Sequence, residues 1–288
     1  MIAAWGRRGW LLALAVTMAG APMVACSSGP TVGPAAAYKA PRLSGTDKPD
    51  LTGLWQSFGT ANWDIQDHSA DAGSFPRLLG IWGAQPPGQG IVEGNDLPYR
   101  PDALAKRQEN FKRRLAVDHD NLNTVGDPEA KCYSPGVPRA TYLPFPFQIV
   151  QSTDKIVIAY QFASANRTIP LGKPTEPPVD FWMGWSNGHW EGDTLVVDVK
   201  GFNDMTWFDR AGNYHSDALH VVERYTPMTP YHMMYEATID DPKVFTRPWK
   251  IAMPLYRRME KNVQLLEFKC VDLSEEYLYG GLLKQSTQ

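Results

Sequence analysis

The densest run of side chains able to do chemistry is the stretch 201–217, Gly-Phe-Asn-Asp-Met-Thr-Trp-Phe-Asp-Arg-Ala-Gly-Asn-Tyr-His-Ser-Asp. Within it, Asp209 and His215 could form a carboxylate–imidazole pair, the carboxylate orienting the ring as a general base. The plainer alternative makes Asp209, Asn213 and Asp217 turn-formers and has His215 cap a loop. Just downstream, Leu219, Val221, Glu223 and Tyr225 share one strand face. If that face points inward, Glu223 is a buried carboxylate, which must be paired or hold its proton more tightly. In the other register Glu223 lies outside, and His220 and Arg224 lie inside. A period of two does not choose between them. Asp209, His215 and Glu223 are the candidates for acid/base catalysis.

Ligand binding draws on a second set. Trp185, Trp190, Trp207 and Tyr225 could line a cavity, because their rings combine large apolar area with one polar edge. The same rings also suit a packed core. Arg167 and Arg139 could anchor an anionic group, or pin loops; His215 could add a polar contact. Metal chemistry finds little support. His215 and His220 are five apart, on opposite faces of a strand, and no His-x-His or His-Glu-x-x-His pattern occurs. With no glycine-rich phosphate loop and no Gly-x-Ser-x-Gly elbow, no metal or cofactor is expected.

These residues need strands to position them. Trp182–Phe202 reads as one β-hairpin turning at Glu191-Gly192-Asp193, with Gly192 free to take positive φ. Its second arm puts Leu195, Val197 and Val199 on one face and Asp198 and Lys200 on the other. That alternation marks a half-buried antiparallel strand. Strands are also expected at 147–151, 155–162 and 166–171. Further along they are expected at 219–225, 231–239 and 249–255, with Val263–Cys270 closing the set. Tyr231, Met233, Tyr235, Ala237 and Ile239 would share an apolar face. With the strand of Trp55 this makes roughly ten, at near-regular spacing.

Residues 57–100 read as an irregular excursion. A helix should follow from Pro101, with Ala103, Leu104, Phe111 and Leu115 in its stripe and Lys106, Arg107, Lys112, Arg113 and Arg114 on its solvated face. The expected fold is all-β: an antiparallel up-and-down barrel with a long N-terminal excursion containing one helix.

The chain has 288 residues, 28 basic and 31 acidic, and loss of an N-terminal leader with Arg7 and Arg8 would make it more acidic. That balance argues against nucleic-acid binding or charge-driven membrane binding. Residues 1–25 have a signal peptide's layout: Arg7 and Arg8, then an apolar core at Trp10–Met18 too short to span a bilayer. Met23-Val24-Ala25-Cys26 resembles the lipobox of bacterial lipoproteins, which implies lipidation at Cys26. Ser27 would favour the outer membrane, and the lipid would be the chain's one membrane contact. Residues 26–49 read as the lipidated, flexible tether, and 50–288 as a single barrel domain. With Cys26 lipidated, Cys132 and Cys270 remain as an even pair in an oxidising compartment, so one disulfide is expected; two buried thiols are the alternative.

Two resemblances stand beside this reading. Gly53-Leu54-Trp55, at the opening of an all-β domain, resembles the lipocalin and calycin superfamily, where the tryptophan plugs the closed end of a barrel. Four further motifs resemble, as an ordered set, a family of secreted bacterial proteins of unassigned function. They are Cys132-x-x-Pro135-Gly136-x-Pro138-Arg139, Trp190-Glu191-Gly192-Asp193-Thr194-Leu195-Val196-Val197-Asp198, His215-Ser216-Asp217-x-Leu219-His220-Val221-x-Glu223-Arg224, and Thr238-Ile239-Asp240-Asp241-Pro242-Lys243. That resemblance covers about Asp50–Glu275 and carries over no catalytic residues. The leading expectation is a lipid-anchored periplasmic barrel binding a small apolar or aromatic molecule. The alternatives are a cofactor-independent acid/base enzyme (lyase, isomerase or hydrolase) on the same scaffold, or an envelope interaction lipoprotein.

Overall fold

The structure, a computed structural model, describes residues 38–73, 84–114 and 126–268. The first strand, β1, is Gly53–Gln56. An excursion follows, carrying the two-residue pair β2 (Asp71–Ala72) and β3 (Ala84–Gln85), helix α1 (Pro101–Arg113) and one helical turn, α2 (Arg139–Tyr142). Then come β4 (Phe147–Gln151), β5 (Lys155–Tyr160) and β6 (Asn166–Pro170). The rest are β7 (Trp185–Glu191), β8 (Thr194–Lys200), β9 (His220–Pro227), β10 (His232–Asp240) and β11 (Trp249–Arg257).

Among the described residues, nine strands form one antiparallel sheet in the order β6-β5-β4-β1-β11-β10-β9-β8-β7. It curls into a nearly closed up-and-down barrel, as the alternation implied. Inward positions repeat every second residue: Ile156, Ile158 and Tyr160 on β5, Val221, Glu223 and Tyr225 on β9, Met233, Tyr235, Ala237 and Ile239 on β10. Burying each large aliphatic among them contributes about 1.5–3 kcal/mol before ordering costs. The β7–β8 turn has two residues, with Gly192 at φ +60 in its first central position, as a type II′ turn requires. Trp55 is buried beneath the Arg257 guanidinium, 4.6 Å from its ring centroid, and donates to the Leu51 carbonyl. Gly53 leaves room for that arginine: a Cβ there would lie 3.2 Å from Nη1.

Strand direction segregates the connections. The segments 152–154, 192–193 and 228–231 are tight turns at one end of the barrel. The described parts of the excursion 57–146 and the loops 201–219 and 241–248 lie at the other end and meet there as a cap.

Several expectations need correction. Residues 263–268 carry no strand, and the sheet continues instead through β1, which pairs with both β4 and β11. Tyr231 precedes β10 and is 53% exposed. Helix α1 does begin at Pro101, with Asp102 in its first turn and Lys112 and Arg113 in its last, complementing the dipole. Its packing is not an apolar stripe: only Ala103 is buried, and Leu104 is exposed. The basic face docks the helix. Arg107 reaches Asn213, Arg114 pairs with Asp71 at 2.7 Å, and Lys106 lies over the Tyr214 ring. Chain within the expected tether also packs: Ala40 is buried and Arg42 pairs with Asp193 at 2.6 Å. The leader, Cys26, Leu115 and Cys270, with its expected bond to Cys132, lie outside the described residues.

Candidate functional site

The barrel's seam follows from strand count. Eight consecutive antiparallel pairings link β6 to β7 around the sheet, so these two edge strands run in the same direction. Parallel neighbours cannot be joined by a hairpin and need a crossover. The segment 171–184 is that crossover, returning the chain from the end of β6 to the start of β7. The edges touch at Gly188, where a Cβ would lie 2.6 Å from Ile169 Cγ2 and 2.9 Å from Leu171 Cδ2.

Towards the starts of both strands the seam opens into a groove of about 450 Å³. One wall is Asn166, Arg167 and Thr168 of β6; the other is Phe181 to Ser186. Phe181 and Trp185 stack with centroids 5.6 Å apart, and Trp182 packs on Tyr133. Arg167 and Ser186 are themselves buried, so the groove reaches the edge of the interior.

Behind it lies a cluster of polar side chains on inward positions of different strands. Arg167 Nη2 donates to Glu223 Oε2 at 2.6 Å and to the Tyr225 hydroxyl at 3.1 Å. Tyr225 and Tyr235 both donate to Glu223 Oε1, at 2.9 and 2.8 Å. Glu223 is completely buried, so two tyrosine hydroxyls and the Arg167 cation replace its water. Burial pulls the Arg167 pKa down, but the Glu223 charge and the surrounding tyrosines hold it well above the ordinary value. Burial and then the Glu223 charge raise Tyr225 and Tyr235 well above theirs.

The cluster is not saturated. Arg167 Nη1 has only Ser186 Oγ at 3.5 Å, and the buried Arg167 Nε has no hydrogen-bond partner. The Tyr160 hydroxyl is buried and unpartnered too. Thr141 and Arg167 stand near enough to bear on its ionisation, but neither meets hydrogen-bond geometry.

The cap uses its charges differently. Asp209 accepts from the Ile65 and Asn213 amides and from Asn213 Nδ2. Burial, reinforced by the Asp64 carboxylate, raises its pKa to about 7. His215 Nε2 shares a 2.6 Å bond with Thr206, and Nδ1 lies 2.9 Å from the Ser216 carbonyl; burial lowers its pKa. Arg139 is buried against Asp127 at 2.6 Å, with Arg210 on Glu129 beside it, a self-matched network that pins the excursion to loop 201–219.

The structure thus brings together Arg167, Glu223 and Tyr225, with Trp185 at the mouth of the same groove. Glu223 takes the inward register, and His220 and Arg224 point outward to Asp198 and Glu191. Asp209 and His215 do not pair, each being bonded to other groups in the cap, and neither bonds to Glu223. Trp190 packs against the barrel wall and Trp207 lies in the cap, its carbonyl near Arg139. Phe181, Trp182, Tyr160, Tyr235 and Ser186 were not singled out from sequence. A signal existed for the tyrosines: both sit on otherwise apolar inward faces, where a hydroxyl needs a reason. Among the described residues no cluster of His, Cys, Asp or Glu could hold a metal. Comparison with protein-family models, curated proteins and solved structures finds no match.

Proposed function

We propose that this chain is a lipid-anchored periplasmic β-barrel that binds a small, largely apolar or aromatic molecule at the β6–β7 seam. The observation that carries this reading is the groove of about 450 Å³, with Phe181, Trp182 and Trp185 as walls and buried Arg167 and Ser186 at its floor. Small-ligand sites are typically concave, mostly apolar and of this size, with few convergent polar groups. An odd strand count leaves the groove open to the side, while cap and tight turns occupy the barrel's ends. The anchor and compartment rest on the lipobox-like Met23–Cys26, and the secreted bacterial family resemblance agrees with them. No contact favours the acid/base enzyme over the carrier, since Asp209 and His215 are both committed to cap bonds.

The test is retention. Purified full chain is mixed with a bacterial small-molecule extract, desalted, and stripped with organic solvent for mass analysis. An apolar or aromatic compound should be recovered from the parent and lost with Trp185→Ala. Nothing retained, or equal retention by both proteins, would overturn the proposal.

A further inference from the structure

We infer that the polar group recognised at the seam is an uncharged acceptor oxygen, such as a ketone or ester carbonyl, held jointly by Arg167 and Tyr160. This rests on the seam being the ligand site. An arginine has five N–H donors. The two on Nη2 go to Glu223 and Tyr225. The Nε donor has no partner, and the Nη1 pair has only the 3.5 Å contact to Ser186. Tyr160, beside Arg167 on the neighbouring strand β5, adds a hydroxyl with no partner. Unpartnered buried donors each cost free energy, and an incoming acceptor would satisfy several together.

Charge decides between acceptors. Arg167 and Glu223 already neutralise each other at 2.6 Å. A carboxylate or phosphate would bring a second negative charge into a site with one cation, close to the buried Glu223 carboxylate, with little water to screen it. A carbonyl oxygen takes the same hydrogen bonds and adds no charge. A hydrocarbon leaves the donors unpaired. The aromatic walls would take the apolar body of the molecule.

Three naphthalene probes of matched shape separate the cases: 2-acetylnaphthalene, 2-ethylnaphthalene and 2-naphthoate, each titrated against the full chain by calorimetry. The ketone should bind about tenfold more tightly than the ethyl compound, the scale of a hydrogen bond to a charged donor, and more tightly than the carboxylate. Tyr160→Phe removes no hydrogen bond within the protein, so the variant should melt with the parent while its ketone preference shrinks. Equal binding of ketone and ethyl compound, tightest binding of the carboxylate, or an undiminished preference in Tyr160→Phe would overturn the inference and leave the seam site standing. If none of the three binds, the seam site itself falls, and this inference with it.

Discussion

Arg167 Nη2 lies 2.6 Å from Glu223 Oε2, joining β6 to β9 across the inside of the barrel. The two strands lie on opposite sides of the seam, β9 being tied to β7 through β8. No named ladder joins β6 to β7 among the described residues, and this buried ion pair ties β6 to the far side of the seam at β9. It holds the guanidinium of Arg167, a residue that lines the groove.

Removing one member should therefore cost more than removing both. Glu223→Gln leaves Arg167 buried without a counter-charge, and unfolding by urea should show a loss of about 3–5 kcal/mol. Arg167→Met with Glu223→Gln should recover most of it. If the single change costs under about 1 kcal/mol, the pair is not the seam's tie.

Gly188 tests the seam from its contact point. Gly188→Val places a branched side chain where a Cβ would already lie 2.6 Å from Ile169 Cγ2 and 2.9 Å from Leu171 Cδ2. Overpacking of this kind costs about 1–3 kcal/mol. Hydrogen exchange should quicken in β6 and β7 more than in β10 and β11, and uniform quickening would count against a local opening.

Trp185 links ligand and crossover. Its ring stacks on Phe181, and its Nε1 donates to Thr175 Oγ1 at 3.0 Å. Trp185→Ala should weaken retention of an aromatic ligand about tenfold, while stability falls by about 1 kcal/mol. Calorimetric titration and thermal melting read the two separately. Loss of fold together with binding would show that the residue is structural alone.

The cap should respond to pH through Asp209. Its folded pKa is raised to about 7, chiefly by burial. A carboxyl raised on folding contributes stability below its unfolded pKa, and loses it as pH climbs through the folded value. His215, lowered by burial, acts in the opposite sense, losing stability as pH falls. The difference between parent and Asp209→Asn isolates the carboxyl. From pH 5 to pH 8 the parent should lose about 2–3 kcal/mol relative to the variant, at roughly 1.4 kcal/mol per pKa unit. A flat difference in urea midpoints across that range would remove Asp209 as the titrating group.

Alternation at period two identified most of the barrel strands, because a half-buried strand must present every second residue to the core. The hairpin at Gly192 and the helix start at Pro101 were legible for local reasons, a positive φ in one case and a fixed φ in the other. Period two says nothing about which face turns inward, so the burial of Glu223 waited on the sheet. The weak apolar pattern at 263–268 looked like a strand, but β1 already pairs with β11 and closes that side of the sheet.

The seam was beyond any local pattern. It exists because the number of strands is odd, and a parity is a property of the whole sheet rather than of any segment. Arg167 and Glu223 stand 56 positions apart, and nothing in the spacing of an arginine and a glutamate tells that two strand pairings and an unladdered seam will set them face to face. Sequence alone determined which residues lie on strands and with what alternation, since those depend on neighbours along the chain. Tertiary structure alone decided which charges meet, where the barrel stays open, and that Asp209 and His215 part company, since those depend on how distant strands close on one another.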